Sequence, residues 1–342
     1  MRIYIKFIGG LLLLGLFACQ ANDPQNNLKA FYGQTMGTTY TVKVVTTADT
    51  SGLKQRMDQA LESVNDAMST YRDSSEITLL NRSQDTTFVQ LSADLFFVMQ
   101  RAQEINRLSD GALDMTVGPL VNLWGFGTQG SRTKTPDEAQ ITERRDYVGS
   151  DKIVLQKEKR LFRKTHPLSV CDLSAIAKGF GVDKLAELLD DRSFDNYYVE
   201  VGGEIRTKGH NAFGMIWRVG IANPGGGDVE KIVPLPGMSM ATSGDYLNYF
   251  EENGVRYSHT INPVTGMPIT HRLASVTVVH ESCTMADGFA TAISVLGPEK
   301  GIVFANENNL AIYMITRTDS GFESKMNRSF EQLLALNSGK GK

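Results

Sequence analysis

The chain has 342 residues, of which 41% are hydrophobic and 21% charged, and its formal net charge is −3. A chain of this length buries a substantial core, and length alone allows one large domain or two lobes. Its slightly acidic balance provides no basic field to recruit nucleic acid, which excludes nucleic-acid binding as the main activity. Cys171 and Cys283 lie too far apart in sequence to make a disulfide framework, and we expect both to be buried as small apolar residues.

The first 19 residues have the pattern of a bacterial lipoprotein signal. Two cations precede an apolar run over residues 7–18, which is too short to span a bilayer. The run ends in LFAC, similar to a lipobox, in which the chain is cut before the cysteine and the cysteine is acylated. An ordinary cleaved signal is the alternative. We expect a signal peptide over residues 1–18, a lipidated Cys19 that anchors the protein to a membrane, and a polar tether over residues 19–30.

Apolar periodicity predicts the secondary structure of residues 31–338, which contain no linker long enough to mark a domain boundary. Helices are predicted over 53–69, 93–108, 284–296 and 298–306, and one more that Ser174 caps and that ends near residue 189. Strands are predicted over 38–45, 153–156 and 161–164, and at YYVEV, WRVGIA, KIVPL, SVTVV and LAIYMI. Hairpins mixed with helices, without a regular βαβ rhythm, indicate an α+β fold.

The segment MADGFATA places two oxygen donors on one face of a predicted helix. Asp287 and Thr291 are four residues apart, so a carboxylate and a hydroxyl lie on the same side. The segment itself contains neither histidine nor cysteine, which favours magnesium over zinc or copper. A local hydrogen bond is the structural alternative, so the metal interpretation depends on the other segments.

Two of those segments carry residues of catalytic type. In DLSAIAKGFGVD, Asp172, Ser174 and Lys178 lie at the start of a predicted helix, where the helix N-terminus and a cation suit a pyrophosphate. Simple capping and a solvated lysine are the alternative there. In SHTINPVTGMP, His259 precedes an Asn-Pro turn. A histidine beside a phosphate can act as a general base, whereas a lone histidine beside a turn is usually structural.

Seven segments in a fixed order resemble the ApbE family of FAD:protein FMN transferases. They are TMGTTY, MSTY, GALDMTVGPLVNLWGFG, DLSAIAKG, VEVGGEI, SHTINPVTG and MADGFATA. The likeness covers essentially the whole chain after the expected tether. It implies an α+β ApbE architecture, in which two lobes of mixed or antiparallel sheet with packed helices enclose an FAD cleft.

The resemblance also implies site residues, with FAD as bound substrate and Mg²⁺ as cofactor. The residues implied to contact FAD are Met36, Tyr71, Ala112, Leu113, Asp114, Asp172, Lys178 and Ile261. The implied magnesium ligands are the backbone carbonyl of Ala175 and the side chains of Asp287 and Thr291. His259 is implied to lie near the reacting phosphate as the catalytic base, with Lys178 stabilising the charge that develops there.

The implied reaction joins FMN to a Thr or Ser of a target protein through a phosphoester bond and releases AMP. The implied targets are exported flavoprotein subunits of sodium-pumping or related respiratory complexes. With the lipobox, the expected location is the periplasmic side of the inner membrane, and the outer membrane is the alternative. Two other interpretations stay open: an FAD pyrophosphatase that uses water at the same site, and a lipoprotein that only binds flavin.

Overall fold

The computed structural model describes residues 27–128, 135–227, 229–245 and 249–336. The expected signal peptide and Cys19 lie outside the described residues. No helix within those ranges is long and apolar enough to cross a membrane. The strands are β1 (Leu28–Thr35), β2 (Thr38–Val45), β3 (Val89–Gln90), β4 (Ile153–Gln156), β5 (Leu161–Lys164), β6 (Tyr197–Val201), β7 (Glu204–Lys208), β8 (Arg218–Ala222), β9 (Val229–Pro234), β10 (Ser239–Gly244), β11 (Tyr249–Glu252), β12 (Val255–Ser258), β13 (Leu273–His280), β14 (Ala311–Thr318) and β15 (Gly321–Met326). The helices are α1 (Leu53–Met68), α2 (Glu76–Arg82), α3 (Ala93–Leu108), α4 (Gly118–Leu123), α5 (Glu138–Arg145), α6 (Ala177–Asp191), α7 (Cys283–Glu307) and α8 (Arg328–Ala335).

An eight-stranded antiparallel sheet forms the centre of the fold, in the order β1-β2-β6-β7-β10-β13-β14-β15. Strand β13 is buried along nearly its whole length, which suits its near-continuous run of apolar and small residues. The hairpin between β1 and β2 turns at Met36 and Gly37, whose φ angles are 49° and 70°. Two consecutive positive φ angles match a two-residue type I′ hairpin, a turn that follows the natural strand twist.

Helices α1, α6 and α7 pack together over one face of this sheet, and the apolar side chains between them form two of its cores. The other face is covered by the β8–β9 hairpin and α8, around the fully buried Phe330. A smaller part of the molecule consists of the β3-β5-β4 sheet and the β11–β12 hairpin with α4 and α5. Trp124 is the largest buried side chain of the core that α4 forms.

The predicted α+β class is confirmed, and all named neighbouring strands pair antiparallel. The predicted helices over 53–69 and 93–108 and the strand pair over 153–164 appear with bounds that differ by at most one residue. The predicted pair of helices at 284–306 is also confirmed, because α7 is interrupted at Gly297, where φ is 78° and Pro298 follows.

The starts of β1 and α6 differ from the expectation. Strand β1 begins at Leu28, so it includes the last residues of the expected tether. The prediction that Ser174 caps the helix that follows it is wrong. That helix, α6, begins at Ala177, and its N-cap residue, Ile176, makes no side-chain capping hydrogen bond. The Asp172 carboxylate accepts from the Ser174 N–H at 2.8 Å. This local turn holds residues 172–174 outside the helix, as Asp side chains commonly do.

Candidate active site

A cleft of about 930 Å³ separates the helical face of the main sheet from the smaller part of the molecule. It brings together eight of the site residues predicted from the sequence: Tyr71, Asp172, Ala175, Lys178, His259, Ile261, Asp287 and Thr291. Their segments lie far apart along the chain, so the fold alone assembles them. A cavity of about 60 Å³ adjoins the cleft, and the predicted residues Ala112, Leu113 and Asp114 line it.

Asp287 lies on the first half of α7, where it is 5% exposed. Its Oδ2 accepts from the backbone N–H of Gly179 at 2.9 Å, which ties α7 to the first turn of α6. Gly179 has no room for a side chain, because a Cβ there would lie 2.3 Å from the Cys283 carbonyl oxygen and 2.8 Å from the Asp287 Cβ. The two helices therefore approach closely only because this residue is glycine.

Lys178 lies between two buried carboxylates. Its Nζ donates to Glu204 Oε1 at 2.5 Å, and Asp287 is its other charged neighbour. Burial opposes the charge of the lysine, but Asp287 and Glu204 raise the pKa of Lys178 above its ordinary value. Burial and the Asp287 charge raise the pKa of Glu204 to about 8, against the attraction of Lys178. Burial also raises the pKa of Asp287, which Lys178 and the Gly179 N–H partly offset.

This charge balance and the donor set fit a bound magnesium ion. Two buried carboxyl groups face one lysine and both have raised pKa values, so a cation bound here would offset the cost of ionising them. Ala175, Asp287 and Thr291 line the same cleft and provide a carbonyl, a carboxylate and a hydroxyl, which are the hard oxygen ligands that magnesium prefers. Among the described residues, no group of three or more His, Cys, Asp and Glu side chains is placed to hold a metal. Asp287 would be the charged ligand of this set.

Two further residues of the cleft suit the other parts of a flavin nucleotide. The ring of Tyr71 is 75% exposed at the cleft, although large aromatic rings are usually well covered. Such a ring offers a surface on which a flat heterocycle can stack. His259 is half-buried at the end of β12, and its ring lies edge-on to Phe126, with 6.3 Å between the ring centroids. His259 lines the same cleft as Lys178 and Asp287.

Three of the residues implied to contact FAD make other contacts in the structure. Both oxygens of Asp114 accept hydrogen bonds within its own part of the chain, from Thr116 and Asn106, so this carboxylate shapes the loop that lines the small cavity. Asp172 lines the cleft while its Oδ1 holds the turn before α6. Met36 lines neither cavity, and its side chain packs on α6 beside Gly181. A contact between Met36 and FAD stays a prediction.

Two residues that organise the site were not assigned by sequence reasoning. Glu204 belongs to the quoted VEVGGEI segment, but only the fold shows that its carboxylate reaches Lys178. Asp183 ends the quoted DLSAIAKGFGVD segment, and its carboxylate accepts from the backbone N–H groups of Cys283 and Thr284 at 3.1 and 2.9 Å. The Asp183 side chain on α6 thereby caps the N-terminus of α7, which fixes the position of α7, and with it Asp287, relative to α6.

The two cysteines have the role that the sequence predicted. Cys171 and Cys283 are both free thiols with no exposed surface. Burial raises the pKa of Cys171 to about 12 and that of Cys283 well above its ordinary value, so both remain protonated and unreactive at neutral pH.

A lysine, hard oxygen donors and an exposed aromatic ring in one cleft are the groups expected of a site for a phosphate ligand that carries a flat ring. A family model described as the ApbE family matches residues 36–314. A relative from Haemophilus influenzae with the name FAD:protein FMN transferase is 45% identical, and the match covers 96% of this chain and 98% of the relative. The chain therefore belongs to the ApbE family.

Solved structures of this family have the same fold. The flavin transferase ApbE from Vibrio cholerae is 41% identical, has a TM-score of 0.83, and is matched over 90% of this chain and 100% of its own. The apo form of the flavinyl transferase ApbE from Pseudomonas stutzeri is 36% identical, has a TM-score of 0.84, and is matched over 92% and 98%.

Proposed function

We propose that this protein transfers FMN from FAD to a Ser or Thr hydroxyl of an exported flavoprotein subunit and releases AMP. The observation that carries the proposal is the meeting of Lys178, Asp287, Thr291 and His259 in one cleft. Its volume of about 930 Å³ lies in the upper range for small-molecule sites, as a dinucleotide requires. The flavin transferase relatives support the same activity.

In this mechanism the acceptor hydroxyl oxygen bonds to the FMN-side phosphorus of FAD. The bond between that phosphorus and the bridging oxygen breaks, and AMP leaves with the bridging oxygen. His259 takes the hydroxyl proton as general base. Lys178, held in its charged form by Glu204 and Asp287, stabilises the negative charge that spreads over the phosphoryl oxygens. The exposed ring of Tyr71 holds the flavin, which fixes the phosphorus near His259.

Asp287 and Thr291, with the Ala175 carbonyl, would hold a magnesium ion, whose charge would supply Lewis-acid stabilisation of the phosphate oxygens. The lipobox-like segment at residues 16–19 supports the cellular setting that we propose. A lipidated Cys19 would hold the enzyme on the periplasmic face of a membrane, where flavoprotein subunits of sodium-pumping or related respiratory complexes would meet it.

The test is incubation with FAD, magnesium and the purified soluble domain of such a flavoprotein subunit, followed by intact-mass measurement of the acceptor. The expected result is a gain of one FMN group per acceptor with one AMP released, and no gain when the acceptor's modified Ser or Thr is replaced by Ala. Release of FMN and AMP without acceptor modification would establish the pyrophosphatase instead. FAD binding without cleavage, with or without magnesium, would establish a flavin-binding lipoprotein.

A further inference from the structure

A second groove, of about 780 Å³, lies on the other side of the β6–β7 turn and has no role in the chemistry above. We define the groove by its wall residues Tyr198, Phe213, Trp217 and Arg218 and by the Gly202–Gly203 turn. The Tyr198 and Trp217 rings pack at 5.8 Å between centroids, and Phe213 is 62% exposed beside them. An exposed aromatic next to a packed aromatic pair is typical of a binding surface.

The groove meets the FAD cleft at a gap in the main sheet. Strands β7 and β10 pair at Ser239–Arg206 and Met240–Ile205 only, whereas β10 continues to Gly244 and pairs with β13 throughout. Among the described residues, the last four residues of β10 therefore have strand partners on one side only. Thr242 and Gly244, in this half-paired stretch, line both the groove and the FAD cleft.

A buried carboxylate oxygen lies at the same gap. Glu204 is 2% exposed and lines the groove, while Lys178, its partner, lines the FAD cleft. Oε1 of Glu204 accepts from Lys178, but Oε2 is buried and has no hydrogen-bond partner among the described residues. An acceptor oxygen in that state is costly unless a ligand provides a donor.

The reaction needs two substrates, and FAD occupies the cleft. We propose that the groove holds an extended segment of the acceptor protein, whose Ser or Thr reaches the phosphate through the gap between β7 and β10. This inference rests on the proposed function. The half-paired edge of β10 can bond to an extended backbone, as in β-augmentation, and Glu204 Oε2 can accept from a backbone N–H or the incoming hydroxyl.

The charges of the groove favour a polypeptide without strong net charge. Its lining includes two cations, Lys43 and Arg218, and two carboxylates, Glu200 and Glu204, so neither sign dominates. A phosphate-rich ligand would require a basic lining, and a strongly charged peptide would require an excess of the opposite sign. Aromatic walls and a free strand edge instead fit an extended segment with small or apolar side chains.

The experiment measures the KM for acceptor and the KM for FAD separately, using the flavoprotein domain that the unmodified enzyme flavinylates. Phe213→Ala should raise the acceptor KM about tenfold, as truncation of an aromatic anchor commonly does. The FAD KM should stay within about twofold of its normal value. Ala222→Trp, on the exposed groove face of β8, should obstruct the groove and have the same selective effect. The matched control is Phe88→Ala, since this exposed phenylalanine lines neither cavity.

Each outcome separates the two proposals. No flavinylation by the unmodified enzyme would reject the proposed function itself. Normal flavinylation with an unchanged acceptor KM in Phe213→Ala and Ala222→Trp would overturn only the groove assignment. A parallel rise in the FAD KM, or the same change in Phe88→Ala, would also overturn it, because the groove would then not be specific to the acceptor. Melting temperatures close to that of the unmodified enzyme confirm that each variant is folded.

Discussion

The close approach of α6 and α7 at Gly179 predicts that Gly179→Ala damages both stability and catalysis. The new Cβ would lie 2.3 Å from a backbone oxygen of Cys283, about 1 Å short of an ordinary contact, and neither backbone can rotate away. Overpacking of this kind costs up to about 3 kcal/mol. Alanine gains about 1 kcal/mol over glycine in a helix. We therefore expect a net loss of about 2 kcal/mol in the free energy of unfolding.

Gly181→Ala is the matched control in the same helix. Its Cβ would meet the end of the flexible Met36 side chain, at 2.8 Å, which can move aside. This variant should be neutral or slightly stabilised, so the two variants should differ by about 2–3 kcal/mol in urea unfolding. A shift of about 1 Å between α6 and α7 also moves Asp287 relative to Lys178, which should reduce FMN transfer about hundredfold. Equal stability of the two variants, with normal transfer by Gly179→Ala, would refute the packing argument.

Three further predictions concern single side chains. His259→Ala should slow the chemical step about a hundredfold to ten-thousandfold while FAD still binds. Single-turnover AMP release measures the rate, and flavin fluorescence titration measures FAD binding. A near-normal rate would remove His259 from the mechanism. Asp287→Asn should lose most transfer and regain part of it at high magnesium, with a milder effect of Thr291→Val; superimposable magnesium titrations for the unmodified enzyme and Asp287→Asn would argue against this metal site. Asp183→Ala should lose about 3–5 kcal/mol of unfolding free energy, because it leaves Arg206 and the α7 N–H groups without their carboxylate. The control, Glu104→Ala, removes a half-exposed ion pair with Arg101 and should lose less than about 1 kcal/mol. Similar losses in the two variants would contradict the capping role of Asp183.

The parts of the fold that follow from local pattern could be predicted from the sequence. Met57, Leu61, Val64 and Met68 recur at helical spacing and are all buried on α1. The break in α7 follows from Gly297 and Pro298, which act locally. The predicted start of α6 is wrong because the Asp172 carboxylate accepts from the Ser174 N–H and holds a turn there, so the helix begins only at Ala177 and the Ser174 side chain does not cap it.

Long-range pairing could not be predicted in the same way. The order of the eight strands depends on contacts between distant segments, such as the pairing of β2 with β6. About 150 residues separate these two strands in the sequence, and they include α1, α6 and much of the smaller part of the molecule. The ion pair of Lys178 with Glu204 joins the first turn of α6 to the β6–β7 hairpin, and no spacing rule connects these segments. Eight of the residues that the resemblance implies line one cleft, although no spacing rule predicts that they meet.

The position of the Lys178–Glu204 pair gives the two cavities a common wall. Lys178 faces the FAD cleft and Glu204 faces the groove, so one hydrogen bond of 2.5 Å separates the phosphate side from the proposed acceptor side. A ligand that donates to Glu204 Oε2 would favour the ionised carboxylate, and that form keeps Lys178 charged for its action on the phosphate. Acceptor binding and charge stabilisation in the FAD cleft are therefore expected to be coupled, and Glu204→Gln should reduce FMN transfer more than it reduces hydrolysis of FAD by water. Equal reductions of both rates, measured in the same preparation, would show that Glu204 only supports Lys178 and senses no acceptor.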